Sequence, residues 1–119
     1  MQLIVLFYAS KMIAGNIKSV RQRIARCCEK IGIPADGVAL VCVTKGASLE
    51  HTREALRAGA GILGENRVQD AAAKYGVIGG AAQWHLIGHL QTNKVKDAVR
   101  IFSLIHSVDS VRLAGEIDK

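Results

Sequence analysis

With 119 residues, 50% of them apolar and 22% charged, the chain has the make-up of one ordinary folded domain, which excludes a disordered polar segment. Aromatic residues contribute only 4%, so the core has to be built from Val, Ile, Leu and Ala, the mixture of helices packed on a parallel sheet. The formal charge of +6 suits an anionic partner, whether nucleic acid, a membrane surface or a phosphorylated small molecule, and composition alone does not choose among them.

The chain opens on an apolar run from Leu3 to Ala9 with no basic residue before it and no small-x-small cleavage site after it. It is short for a signal sequence and far too short to span a bilayer. We read residues 1–12 as an extra segment, with Met12 as the natural start, in front of a domain covering residues 13–119. From Ile13 to Ile31, apolar residues at Ile13, Ile17, Val20, Ile24, Cys27, Cys28 and Ile31 recur in steps of three and four, which predicts an amphipathic helix stopped by Gly32 and Pro34. Its polar positions carry Lys18, Arg21, Arg23, Arg26 and Lys30 with no aromatics to stack bases, so they read as a solvated helix face; neither nucleic acid nor membrane is expected as a partner. Cys27, Cys28 and Cys42 have no metal-ligand spacing, and their odd count favours a reducing, cytoplasmic setting.

Val38 to Thr44 is an unbroken apolar run of strand length, predicted to be buried on both faces. Ser48 offers an N-cap to a helix with Glu50 in its first turn and a stripe of Leu49, Ala55, Leu56 and Gly59. The alternation continues with a strand at Gly61–Gly64, a helix over Glu65–Tyr75, a glycine-rich loop over Gly76–Ala82 and a strand at Gln83–Gly88. A helix follows over Thr92–Phe102, with Val95, Ala98, Val99 and Phe102 facing inward, then a strand at Leu104–Val108 and a helix capped by Ser110. One leading helix and four strand-helix units imply a parallel α/β sheet, because parallel neighbours need a helical crossover. Two architectures fit: a small doubly wound sheet, or the first half of a (β/α)8 barrel, whose complete form takes about 250 residues.

Both architectures bind ligands at the C-terminal tips of their strands. Here the tips are Thr44-Lys45-Gly46, Gly64-Glu65-Asn66, Gly88-His89-Leu90-Gln91 and Ser107-Val108-Asp109. A lysine is a poor nucleophile when fully protonated, and partial burial at the end of a buried strand would favour its neutral form and reaction with an aldehyde. The competing reading leaves Lys45 solvated beyond its strand. Asn66 could hydrogen-bond a ring oxygen or serve as an ordinary helix N-cap, and Glu65 is expected to pair with a nearby cation. His85 and His89 are four apart on a strand and turn rather than a helix, which argues against zinc. His106, Ser107 and Asp109 lack the nucleophile elbow of a hydrolase, and no G-x-G-x-x-G or phosphate P-loop is present.

Taken together, VCVTKG, LGENRVQD, WHLIGHLQTNK and IHSVDS, in this order and preceded by IAGNIKSVRQRIARCCEKIG, resemble the N-terminal half of the pyridoxal phosphate homeostasis proteins, relatives of the alanine racemase barrel domain. The resemblance covers Ile13 to Lys119. It implies the first half of a (β/α)8 barrel, preceded by a helix, with Lys45 forming a Schiff base to pyridoxal 5′-phosphate. Asn66, His85 and Ser107 match positions around that cofactor, and Gln91, Asn93 and Lys94 match a structural signature. The implied role is to bind and buffer the cofactor and supply it to apo-enzymes that need it, without robust turnover and, in the full-length form, as a monomer. The family's phosphate-binding residues follow the last two strands, so this half is expected to supply the lysine and not the phosphate cradle. An open half-barrel is also expected to expose two strand edges and to self-associate. Two rival functions are a racemase-like enzyme using the same cofactor and a basic doubly wound module binding nucleotide or nucleic acid. Racemisation needs proton donors on both faces of the substrate, and Tyr8 and Tyr75 lie away from the strand tips.

Overall fold

The computed structural model describes residues 2–6 and 13–119, and in them five strands run parallel, each beside the next in sequence. They are β1 (Gln2–Leu6), β2 (Ala39–Val43), β3 (Ile62–Glu65), β4 (Gln83–Leu86) and β5 (Leu104–Ile105). Helix α1 (Ile13–Ile31) precedes β2, and α2 (Leu49–Arg57), α3 (Val68–Ile78), α4 (Val95–Ile101) and α5 (Val111–Ile117) follow β2 to β5 in turn. This is the expected parallel βα half-barrel, with one strand more than the four expected. The LIVL run in β1 is apolar, with β-branched Ile4 and Val5 at its centre, and it aligns with β2 from Gln2 opposite Ala39 to Leu6 opposite Val43. A closed barrel would pair that edge of β2 with its last strand; here β1 covers it, and the two open edges among the described residues are those of β1 and β5. The reading of Met12 as a start lies outside the described residues.

Successive side chains of a strand point to opposite faces. Leu40 and Cys42 of β2, Leu63 of β3, and Trp84 and Leu86 of β4 join the helices' Ile13, Ile17, Ala55, Ala71, Ala98 and Leu113 in one buried core. Val41 and Val43 lie on the opposite face of β2 and are also buried, as the unbroken apolar run requires. Helix α1 has the predicted bounds and closes through Gly32 N–H to the Glu29 carbonyl (3.3 Å) and Ile33 N–H to that of Cys28 (3.0 Å). Its stripe is shorter than expected: Cys27 is exposed and Ile31 is 68% exposed. A 19-residue helix is about 28 Å long and a five-residue strand about 17 Å, so the last turns outrun the sheet.

Ser48 and Ser110 cap α2 and α5 as expected, accepting from His51 N–H and Leu113 N–H at 3.1 Å each. Several boundaries differ from the sequence reading: α3 begins at Val68 rather than Glu65, and β5 ends at Ile105 rather than Val108. Helix α3 continues through Gly76 to Ile78, and Gly79–Ala81 forms a 3-10 turn where a loop was expected. The added turn is held by Trp84, whose indole N–H donates to the Gly79 carbonyl at 3.0 Å while its ring meets Tyr75 edge-on at 5.8 Å. Thr92–Lys94 is a 3-10 turn before α4, and Val99, expected to face inward, is 47% exposed, while Val95, Ala98 and Phe102 are buried. Among the described residues, no helix is long and apolar enough to cross a membrane.

Candidate functional site

At the tip of β2 the chain turns at once. Ala47 N–H donates to the Thr44 carbonyl at 3.0 Å, closing a four-residue turn with Lys45 and Gly46 at its centre. Gly46 has φ +71°, the conformation that the third position of a type II turn demands and that glycine adopts without steric cost. Lys45 is therefore fixed at the second position of a tight turn. Its side chain is exposed and has no hydrogen-bond or ion-pair partner among the described residues. The partial burial expected from the sequence is not found, because the turn carries residue 45 clear of the sheet immediately after buried Thr44.

Behind this turn, on the helix-facing side, sits a buried polar cluster. Thr44 Oγ1 donates to Glu65 Oε1 at 2.5 Å, and Lys74 Nζ, from α3, donates to the same oxygen at 2.5 Å and to the Thr44 carbonyl at 2.6 Å. Glu65 is fully buried and the Lys74 side chain is 12% exposed. The sequence anticipated a cation for Glu65 but did not single out Lys74. The signal was present: on α3, Lys74 falls between Ala71 and Ile78, along the apolar stripe begun by Val68, a place where a lysine needs a buried partner.

Asn66 follows β3. It is not a helix cap, since α3 begins at Val68 with Arg67 in the cap position and no side-chain cap bond. The backbone of Asn66 lies instead against Gly88 at the tip of β4, so close that a Cβ on Gly88 would stand 2.2 Å from the Asn66 carbonyl oxygen and 2.8 Å from its Cα. Ser107, beyond β5, donates its hydroxyl to the Gly88 carbonyl at 2.6 Å. Asn66, Gly88 and Ser107 thus form a chain of contacts across three strand tips, and Gly88 is the member the sequence reading did not single out. An open cleft of about 230 Å³ beside it is lined by Arg67, Gln69, His89, Gln91 and Lys94, among others. Asn93, the other residue of the matched signature, is exposed in the 3-10 turn that leads into α4.

His85 lies on the face of β4 opposite Trp84 and is 4% exposed. Its Nδ1 is 3.1 Å from His106 Nε2, so one ring donates and the other accepts. Burial, reinforced by His106, holds the His85 imidazole below the usual histidine range and keeps it neutral. Ser107 and His106 bond to Gly88 and His85 rather than to each other. His89 and Asp109 form only an exposed contact at 3.8 Å. Among the described residues, no group of three or more His, Cys, Asp or Glu side chains could hold a metal. Lys45, Asn66, His85 and Ser107 all occur at the C-terminal rim, and none of these side chains hydrogen-bonds another. A larger cavity of about 390 Å³, lined by Arg21, Val38, Leu40 and Gly61 among others, lies at the opposite ends of β2 and β3.

No protein-family model matches the chain. Its relatives include a pyridoxal phosphate homeostasis protein of Aquifex aeolicus, 39% identical over 105 residues, covering 87% of this chain and 46% of the relative. The protein of that name from Escherichia coli K12 is 32% identical over 112 residues, covering 89% and 47%. Among solved structures, PipY of Synechococcus elongatus PCC7942 with PLP bound superposes with a TM-score of 0.76 at 40% identity, over 89% of this chain and 46% of PipY. A protein of Bifidobacterium adolescentis superposes with a TM-score of 0.81 at 32% identity, over 90% and 48%. The chain spans about half the length of the curated relatives it matches. Sequence and fold together match this chain to the N-terminal half of the pyridoxal phosphate homeostasis proteins.

Proposed function

We propose that this chain holds pyridoxal 5′-phosphate covalently on Lys45 and serves to bind, buffer and hand on the cofactor rather than to turn over a substrate. The observation that carries this is the contrast between two amines at one rim: Lys45 is exposed and without a partner among the described residues, on a glycine turn, whereas Lys74 is committed to Glu65 and Thr44. The donor set, an amine, an amide and an imidazole pair, fits the cofactor's aldehyde and ring rather than its phosphate. When bound, pyridoxal phosphate supplies an aldehyde that condenses reversibly with a primary amine.

In this reading Lys45 contributes the amine, and the Thr44–Ala47 turn fixes where that amine is presented. Asn66 offers an amide that can donate and accept toward a ring oxygen, held in place by the Gly88 contact and, through it, by Ser107. His85, hydrogen-bonded to His106, gives the rim a buried imidazole wall. Recipients of the cofactor are apo-enzymes that require it, in a reducing cytoplasmic setting suited to the three free cysteines. A racemase role is less well supported, because Tyr75 is committed to packing on Trp84. Leu104, Val108 and Val111 are exposed on and just after β5, and this edge is where two copies would associate, as a concentration-dependent mass in sedimentation would register.

Titration with pyridoxal phosphate, followed by absorbance and by retention through dialysis, tests the proposal. The parent should show a saturable spectral change that Lys45→Ala abolishes and Lys96→Ala leaves intact. Equal responses from the parent and Lys45→Ala would refute it.

A further inference from the structure

The buried Glu65–Lys74 pair stands directly behind the turn that presents Lys45 and offers no group of its own to the cofactor. A buried ion pair is weak evidence for stability, because desolvating both groups offsets most of their attraction. This one is also incompletely satisfied: Glu65 Oε2 is buried without a hydrogen-bond partner. What the arrangement does geometrically is more telling. The Thr44 carbonyl accepts from Ala47 N–H, which closes the turn, and from Lys74 Nζ, while Thr44 N–H donates to the Gly64 carbonyl at 3.0 Å and Thr44 Oγ1 donates to Glu65. Every polar atom of Thr44 is thereby tied to β3, α3 or the turn itself, in the residue immediately before Lys45. Glu65 is tied in turn to β4, its carbonyl accepting from Ile87 N–H at 2.9 Å.

We propose that Lys74 and Glu65 are positioning residues: their pair clamps the Thr44 carbonyl, and so the glycine turn, to fix the place from which Lys45 meets an aldehyde. The inference rests on the reading of Lys45 as the cofactor's amine, but the clamp itself can be measured without the cofactor. Breaking either partner alone strands a buried charge, and a single variant such as Lys74→Met could fail to fold. The decisive variant is therefore the double replacement Glu65→Leu/Lys74→Met, which exchanges the pair for apolar side chains of similar volume and is expected to leave the core closed.

Two readouts on the full chain separate the possibilities. Amide exchange at Ala47, whose N–H closes the turn, should speed up about tenfold in the folded double variant, the effect of losing one charge-assisted hydrogen bond to the shared carbonyl. Exchange at Leu63 and Leu86 in the sheet should stay at the parent rate. Borohydride trapping of pyridoxal phosphate at subsaturating concentration should place about tenfold less label on Lys45 than in the parent. Loss of labelling together with faster Ala47 exchange supports the clamp and its purpose. If the parent takes no label on Lys45 but Ala47 exchange still rises in the double variant, the clamp stands and the cofactor reading fails. If Ala47 exchange is unchanged in the folded double variant, the inference is overturned whatever Lys45 does. Unchanged labelling of Lys45 beside faster Ala47 exchange overturns the positioning role.

Discussion

Gly88→Ala tests whether the rim is as closely fitted as the strand tips imply. The added Cβ would stand 2.2 Å from the carbonyl oxygen of Asn66, 2.8 Å from its Cα and 2.9 Å from its carbonyl carbon, all backbone atoms that cannot rotate away. Relieving the closest contact requires the tips of β3 and β4 to part by about 1 Å, which reaches only a tight van der Waals separation. Such overpacking costs about 1–3 kcal/mol. The shift also strains the 2.6 Å bond from Ser107 to the Gly88 carbonyl, which adds about 1 kcal/mol if that bond is lost. The total is about 2–4 kcal/mol. A chain of this length has an unfolding entropy near 0.25 kcal/mol/K, so the melting midpoint should fall by about 8–16 °C. Differential scanning calorimetry measures this, and the amide shifts of Asn66 and Arg67 report the displacement. The control is Gly76→Ala, inside α3, where a Cβ meets nothing within 4 Å. It should raise stability by about 0.5–1 kcal/mol, the helix cost of glycine. A Gly88→Ala midpoint within a degree or two of the parent, with Asn66 unmoved, would refute the reasoning.

Two further predictions concern titratable groups. His85 is held below its ordinary value in the fold, so on acidification the unfolded chain takes up this proton first and stability must fall. The loss should begin near the ordinary histidine value of about 6.5 and continue downward; melting midpoints between about pH 7.5 and 5.5 should show it, and His85→Asn should flatten the slope, whereas an unchanged slope contradicts the assignment. For the thiols, Cys27 is exposed, Cys28 is buried, and burial pushes Cys42 up to about 11 despite the opposing charge of Arg21. A disulfide reagent at neutral pH should find one fast thiol in the native protein and three after unfolding; prompt reaction of Cys42 would show that β2 is not the buried strand described here.

Periodicity alone carried most of the architecture. The bounds of α1, the buried run in β2 and the serine caps of α2 and α5 follow from local patterns that tertiary contacts do not override. Where the sequence misled, the cause was non-local. Gly76 looks like a helix terminator until Trp84 is seen to dock on the following turn through Gly79 and Tyr75. Ile31 and Val99 sit in phase with their stripes but are exposed, Ile31 because α1 outruns the sheet. The Leu3–Ala9 run is too short for a signal sequence and was set outside the domain; in the fold Gln2–Leu6 pairs along β2. The site divides in the same way. Lys45 was legible because an amine after a buried strand is conspicuous, but its glycine turn, its exposure and the Lys74 clamp depend on contacts spanning β2, β3 and α3. Asn66 could be read as a ligand or as a cap. The start of α3 at Val68 removes the cap role and the close approach of Gly88 fixes the Asn66 backbone, and neither has a sequence signature.

The central claim is that Lys45 is the amine that takes the aldehyde. Incubation with pyridoxal phosphate, reduction with borohydride, proteolysis and mass spectrometry test it directly. A single modified peptide carrying Lys45 is the predicted result, with Lys74 unmodified behind its ion pair. Label spread over the exposed lysines in proportion to their accessibility, or concentrated on a residue other than Lys45, would contradict the account.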